Sequence, residues 1–166
     1  MKVLANDGIS QSGIDALQAK GFEVITTNVA QEQLISYINE NEVTVLLVRS
    51  ATTARKELVD SCPSLKIIGR GGVGMDNIDV DYAREKGLKV INTPASSSAS
   101  VAELVFAHLY GGVRFLHDSN RNMPLEGESN FKGLKKAYAK GIELRGKTIG
   151  IIGFGRIGQE VAKIAL

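Results

Sequence analysis

Residues 65–74 read LKIIGRGGVG. An apolar run ending in closely spaced glycines describes a strand that opens into a loop where backbone must pass close to something. Gly69, Gly71 and Gly74 have the Gly-x-Gly-x-x-Gly spacing of a dinucleotide loop. A second match, GFGRIG at 153–158, follows the apolar stretch Thr148-Ile149-Gly150-Ile151-Ile152. One chain of 166 residues thus carries the pattern twice, and the two copies need not do the same thing.

Their flanks separate them. A pyrophosphate wants the positive end of a helix and no competing carboxylate beside it. After Gly74 stand Asp76, Asp79 and Asp81, three negative charges where phosphates would have to sit. After Gly158 comes QEVAKIAL, helical at once, with Arg156 between the glycines. The nucleotide therefore belongs on Gly153, Gly155 and Gly158. The first loop instead brings bare amides to the C-terminal edge of a parallel sheet, where ligands bind, and suits a carboxylate.

Outward from residue 65 the pattern is strand, helix, strand. Strands are expected at Val3–Ala5, Phe22–Thr26, Val43–Val48, Leu65–Ile68 and Leu88–Ile91. Helices are expected over Ser10–Lys20, Gln31–Glu40, Thr53–Ser61 and Asp79–Lys86, the first and last closed by Gly21 and Gly87. This alternation predicts an α/β fold with a parallel, doubly wound sheet. Ser100 and Glu103 form a capping box for a longer helix, and the segment 118–140, with Pro124 and two glycines, reads as irregular. A domain boundary is expected between Pro94 and Ala99. Residues 1–96 form one domain, and 97–166 carry an inter-domain helix and the first strand–loop–helix of a second.

Composition bounds the function classes. With 43% hydrophobic and 23% charged residues, the chain reads as an ordinary soluble globular protein. No apolar run approaches the roughly 20 residues needed to span a bilayer, and MKVLANDGIS opens as a strand, not a signal peptide. Cys62 is alone, which excludes an internal disulfide and points to a reducing, cytoplasmic setting. His108 and His117 belong to no Cys/His cluster, so no metal is expected. Residues 131–166 carry 8 basic and 2 acidic side chains, against 12 and 16 in residues 1–130. No nucleic-acid motif accompanies that basic stretch, which reads as a solvated face whose field favours anions.

The three segments RGGVGMDNIDVDYAREKGLKVINTP, SVAELVFAHL and ELRGKTIGIIGFGRIGQEVAK lie in this order along the chain. Together they resemble the NAD-dependent D-2-hydroxyacid dehydrogenases, and among them the phosphoglycerate dehydrogenases. The resemblance implies a flavodoxin-like substrate domain followed by the beginning of a Rossmann nucleotide-binding domain. It implies that Gly72, Val73 and Gly74 present amides to a substrate carboxylate, with Val73 also near the nicotinamide. Arg49 and Ser50 match positions that meet the substrate's phosphate end, and Ser97 stands near the substrate where the family often has asparagine. Gly153, Gly155, Arg156, Ile157 and Gly158 match the NAD phosphate loop.

The implied activity of the intact protein is oxidation of 3-phosphoglycerate to 3-phosphohydroxypyruvate with NAD, a step of serine biosynthesis, by a homo-oligomer. The substrate could instead be glyoxylate or hydroxypyruvate, and corepressors sharing the fold use NAD as a switch. The family's catalytic arginine, glutamate and histidine match no position up to Leu166. Residues 1–166 are therefore expected to hold no catalytic group and to be inactive by themselves.

Overall fold

Val3, Leu4 and Ala5 are almost completely buried, as befits a strand flanked on both sides. In the computed structural model, which describes residues 1–166, this strand is β1 (Lys2–Ala5), inside a five-stranded parallel sheet ordered β2-β1-β3-β4-β5. The others are β2 (Glu23–Ile25), β3 (Val45–Val48), β4 (Ile67–Arg70) and β5 (Lys89–Asn92). Between them run α1 (Gln11–Ala19), α2 (Leu34–Glu40) after a short 3₁₀ turn, α3 (Lys56–Ser61) and α4 (Val80–Glu85). Sheet and helices form one compact unit, Met1–Ser96, and Ser97–Leu166 form a second. The sheet is parallel and doubly wound, as the alternating pattern implied, and its strand order is that of the flavodoxin-like folds, as the resemblance implied.

Right-handed crossovers decide which face each helix covers. The chain steps from β1 outward to β2, then returns past β1 and steps the other way through β3, β4 and β5. The connections through α2, α3 and α4 share one direction and so lie on one face, which leaves α1 alone on the other. The register places Leu4, Leu46, Ile68 and Val90 in one row. They pack with Leu34, Ile38, Leu58, Val59 and Ala83 from α2, α3 and α4 into the main core. The next row, Ala5, Leu47, Gly69 and Ile91, faces α1's side, and there Ile91 stays 45% exposed.

α1 forms where the sequence places it. Ser10 caps it, its hydroxyl accepting from the Gly13 amide at 3.3 Å, and Gly21 ends it at φ +80°.

The second unit departs from expectation at three points. α5 (Ser98–Val113) starts before Ser100, so the Ser100/Glu103 capping box does not form and Ser97 occupies the cap position without a side-chain bond. Pro94 is the last breaker ahead of it, and nothing after Pro94 prevents an earlier start. The segment expected to be irregular is α6 (Leu116–Tyr138), interrupted only by non-helical backbone at Asn130. Its break from α5 comes instead at Phe115, at φ +54°. Pro124 stands well inside α6, outweighed by the helix formers around it. Thr148–Ile152, expected as a strand, has no neighbour to pair with and forms none, leaving Ile149 41% exposed. A small core of Ala102, Phe106 and Val161 joins α5 to α7 (Arg156–Ala165).

Because Leu46 is wholly buried mid-sheet, Leu46→Ala should cost about 2–5 kcal/mol of unfolding free energy. Urea denaturation followed by far-UV circular dichroism checks this.

Candidate functional site

All five strands point the same way, so the segments leaving β1, β3, β4 and β5 converge on one edge of the first unit. A cleft of about 810 Å³ opens there. Its edge is made by Asp7, Gly8, Arg49, Arg70, Gly71, Asn92 and Thr93, and its wall by Leu47, Gly69 and Ile91 with Leu17 of α1. The wall is the sheet face that α1 alone covers. Gly69 leaves room there for Leu47, whose Cδ2 would lie 2.8 Å from a Cβ at this position and would have to move.

Arg49 follows the last residue of β3, and its backbone is held on both sides. Its amide and that of Thr52 donate to the Asp7 carboxylate, which also accepts the Thr52 hydroxyl. The Arg49 carbonyl accepts from Asn77 Nδ2 at 2.9 Å. Burial pushes the Asp7 pKa up. Hydrogen bonds from the Thr52 hydroxyl and the Arg49, Thr52 and Ala51 amides outweigh that and hold it below 3.8. Asp7 therefore stays ionised, and its charge is spent on amides. The guanidinium of Arg49 makes no ion pair, and Ser50 beside it is exposed.

The GRGGVG loop opens no helix; the chain runs through turns until α4 begins at Val80. The Gly71 amide donates to Val48 O at 2.9 Å and the Gly72 amide to Arg70 O at 3.0 Å, so Gly72 is already engaged. Asn92 Nδ2 donates to Val73 O at 2.7 Å and the Thr93 amide to Gly72 O at 3.1 Å, fixing the loop to the end of β5. The amides of Val73 and Gly74 have no acceptor. Arg70 folds back along this loop and donates to Asp76 at 2.6 Å, a bond that holds the Asp76 carboxyl below its ordinary pKa. Asp76 Oδ1 would stand 3.2 Å from a Cβ on Gly74, so the Arg70–Asp76 pair lies beside the loop at that glycine. Asp79 is engaged as well, with Arg55 and the Lys56 amide.

The second loop differs at each glycine. Gly153 sits at φ +92°, a conformation that favours glycine. Gly155 is the residue before α7, and a Cβ on it would meet nothing within 4 Å. A Cβ on Gly158 would lie 2.4 Å from Gly153 O, so only glycine lets the helix pack against the loop. A sharp turn, an open backbone and a close helix contact are the three demands of a dinucleotide loop. These residues fit a dinucleotide pyrophosphate, with Arg156 and Ile157 opening the helix behind it.

Ser97 precedes α5 and is half-buried. His108 and His117 line a hollow between α5 and α6 and take part in no hydrogen bond. Burial pushes the Cys62 thiol up to about 11, so it packs and does not react. Sequence reading missed Asp7, Arg70, Asn77 and Asn92, whose partners lie 6 to 45 residues away; only their place just after a strand or in the glycine loop hinted at them.

The family model for D-isomer specific 2-hydroxyacid dehydrogenase, catalytic domain, matches residues 3–155. The chain belongs to this family. A hydroxypyruvate reductase of Thermotoga maritima is 43% identical over 99% of the chain, and a D-3-phosphoglycerate dehydrogenase of Methanocaldococcus jannaschii is 40% identical over 99%. The chain spans 52% of the first relative's length and 30% of the second's. Among solved structures, an acyclic imino acid reductase in complex with NADPH and D-Arg covers 99% of the chain at 31% identity and a TM-score of 0.76. An NAD-dependent formate dehydrogenase of Staphylococcus aureus in complex with NAD does so at 28% and 0.74. The chain covers 52% and 53% of these two proteins. No helix is long and apolar enough to cross a membrane.

The folded-state pKa of Asp7 lies below its unfolded value, so its stabilisation is present above about pH 3.8 and lost as pH falls through the folded value. Asp7→Asn should therefore be less stable than the parent near neutrality, with the gap narrowing below that pH. Urea titrations at several pH values measure it; a gap independent of pH would show that the carboxylate charge is not what holds the loop.

Proposed function

We propose that the whole protein oxidises 3-phosphoglycerate to 3-phosphohydroxypyruvate with NAD, the first unit being the substrate domain and the second opening the nucleotide domain. The observation that carries this reading is Arg49, an unpaired guanidinium on a braced backbone at the cleft edge. Its fork suits a phosphate dianion bidentately. The Val73 and Gly74 amides, which have no other acceptor, would take the substrate carboxylate. Gly72 contributes shape, its own amide being bound to Arg70. Ser50 and Ser97 add hydroxyls around the substrate, and Val73 also faces the nicotinamide in this reading. Gly153, Gly155, Arg156, Ile157 and Gly158 would hold NAD, which when bound supplies the hydride acceptor.

The reading extends to a cytoplasmic homo-oligomer. A buried, unpaired Cys62 suits a reducing compartment. Large apolar side chains exposed on α5 and α6, among them Leu104, Tyr110, Leu116 and Leu125, suit self-association. A second reading, reduction of hydroxypyruvate or glyoxylate, is favoured by the 43%-identical Thermotoga maritima relative. The two readings share the carboxylate grip and part at Arg49.

In the whole protein, Arg49→Met should raise KM for 3-phosphoglycerate steeply, since losing one partner of a charge-assisted pair costs about 2–5 kcal/mol. Steady-state kinetics with 3-phosphoglycerate and hydroxypyruvate decide it; an unchanged KM for the phosphorylated acid selects the second reading.

The loops are tested separately. Gly155→Ala adds a methyl group that meets no protein atom, so the fold should survive while NAD loses its seat. Gly71→Ala should instead raise KM for substrate with NAD affinity kept. Fluorescence titration of NAD on both variants reports the difference, and equal loss in the two would overturn the assignment of the loops.

A further inference from the structure

Asn77 lies immediately beyond the glycine loop, is 6% exposed, and sends both protons of its amide to another loop. Nδ2 donates to Arg49 O at 2.9 Å and to Thr52 O at 2.6 Å. Its Oδ1 is buried with no partner. Turning the amide over would set that oxygen against two carbonyl oxygens, so the orientation follows from the geometry. A buried side chain that leaves its acceptor orphaned is held in place by its donors. From the opposite side, Asp7 accepts the amides of Arg49 and Thr52. Asn6 Nδ2 completes the grip by donating to the Thr52 hydroxyl at 2.8 Å.

The loop 49–52 is thus gripped at its first and last residues, carbonyls by Asn77 and amides by Asp7. Ser50 and Ala51 between them stay exposed. Asn77 is also covalently continuous with the glycine loop, whose Arg70 and Gly71 stand at the cleft edge and whose Val73 and Gly74 amides have no acceptor. The backbone of residue 77 is fixed in turn, its carbonyl accepting the Ala54 amide at 2.9 Å. One side chain therefore ties the backbone that carries a cation to the segment that carries two unengaged amide donors.

We propose that Asn77 and Asp7 are positioning residues, a two-sided clamp that fixes the distance between the Arg49 guanidinium and the Val73–Gly74 amides and so selects substrates by the separation of their two anionic ends. This rests on the reading of Arg49 as the phosphate grip. Asn77 is buried and absent from the cleft lining, Asp7 engages its carboxylate with the 49–52 loop, and each acts through Arg49.

A double-mutant cycle in the whole protein tests it. Asn77→Ser removes one or both donors, and Asp7→Asn weakens the clamp from the other side if the first variant folds poorly. Each should raise KM for 3-phosphoglycerate about tenfold with kcat much less affected, and the rise should vanish when Arg49 is already methionine. A rise that persists undiminished in the Arg49→Met background, or a loss carried by kcat, would overturn the clamp and leave Asn77 a merely structural residue. If Arg49→Met itself leaves KM for 3-phosphoglycerate unchanged, the phosphate-grip reading fails first. A clamp change of KM in the absence of an Arg49 effect would overturn the inference too. Thermal unfolding of each variant identifies which of the two folds well enough to carry the cycle.

Discussion

The parallel pairing of β1 with β3 governs the first unit. β1 pairs with β2 on one side and β3 on the other, and the chain reverses its direction across the sheet between them. At such a switch point the segments leaving the two strands diverge, and the gap between them is where open α/β sheets bind ligands. Asp7 and Arg49 are the residues leaving β1 and β3. The same reversal sends α1 alone to one face, because right-handed crossovers put α2, α3 and α4 together on the other. A single helix cannot cover that face, so Ile91 remains open to the cleft.

An open edge made of loops would be a poor place to fix a cation, since each ordered loop residue costs conformational entropy. The polar residues Asn6, Thr52 and Asn77, all buried at this edge, answer that cost. They join loops of this edge through side-chain hydrogen bonds spanning 23 to 46 residues of sequence. In a low-dielectric setting such a network is rigid when satisfied and expensive when broken. Asn77 Oδ1 and Arg70 Nε are the two buried side-chain atoms left unsatisfied, one just beyond the glycine loop and one within it.

Much of the first unit was legible because its signals are local. Ser10, Gly21 and Gly87 mark helix ends through their own backbone chemistry, and the unbroken apolar run 45–48 marks a strand buried on both faces. The cleft edge was only half legible. Arg49 stands out as a charge directly after a buried strand, but nothing near Asn77 announces that its partners are Arg49 and Thr52. The second unit misled where tertiary partners matter. Thr148–Ile152 has strand composition, yet a strand exists only through its ladder. The 118–140 segment carries Pro124, Gly127 and Gly133, yet a helix holds them. Gly133 even has a local use there, since a Cβ on it would collide with the Asn130 side chain.

The two glycine loops show why a spacing pattern alone assigns nothing. A glycine can be required for its φ, for the room beside it, or for a contact no Cβ allows. At 153–158 the three glycines supply one each, in that order, ahead of a helix of 10 residues. At 69–74 none has positive φ, Gly69 makes room for Leu47, and Gly74 lies beside the Arg70–Asp76 pair. The same letters at the same intervals therefore build an open helix N-terminus in one place and a braced turn with two free amides in the other. A pyrophosphate needs the first arrangement because its charge is spread over two groups that one helix end can face. A single carboxylate needs only neighbouring amides that have no other acceptor, as those of Val73 and Gly74 have none.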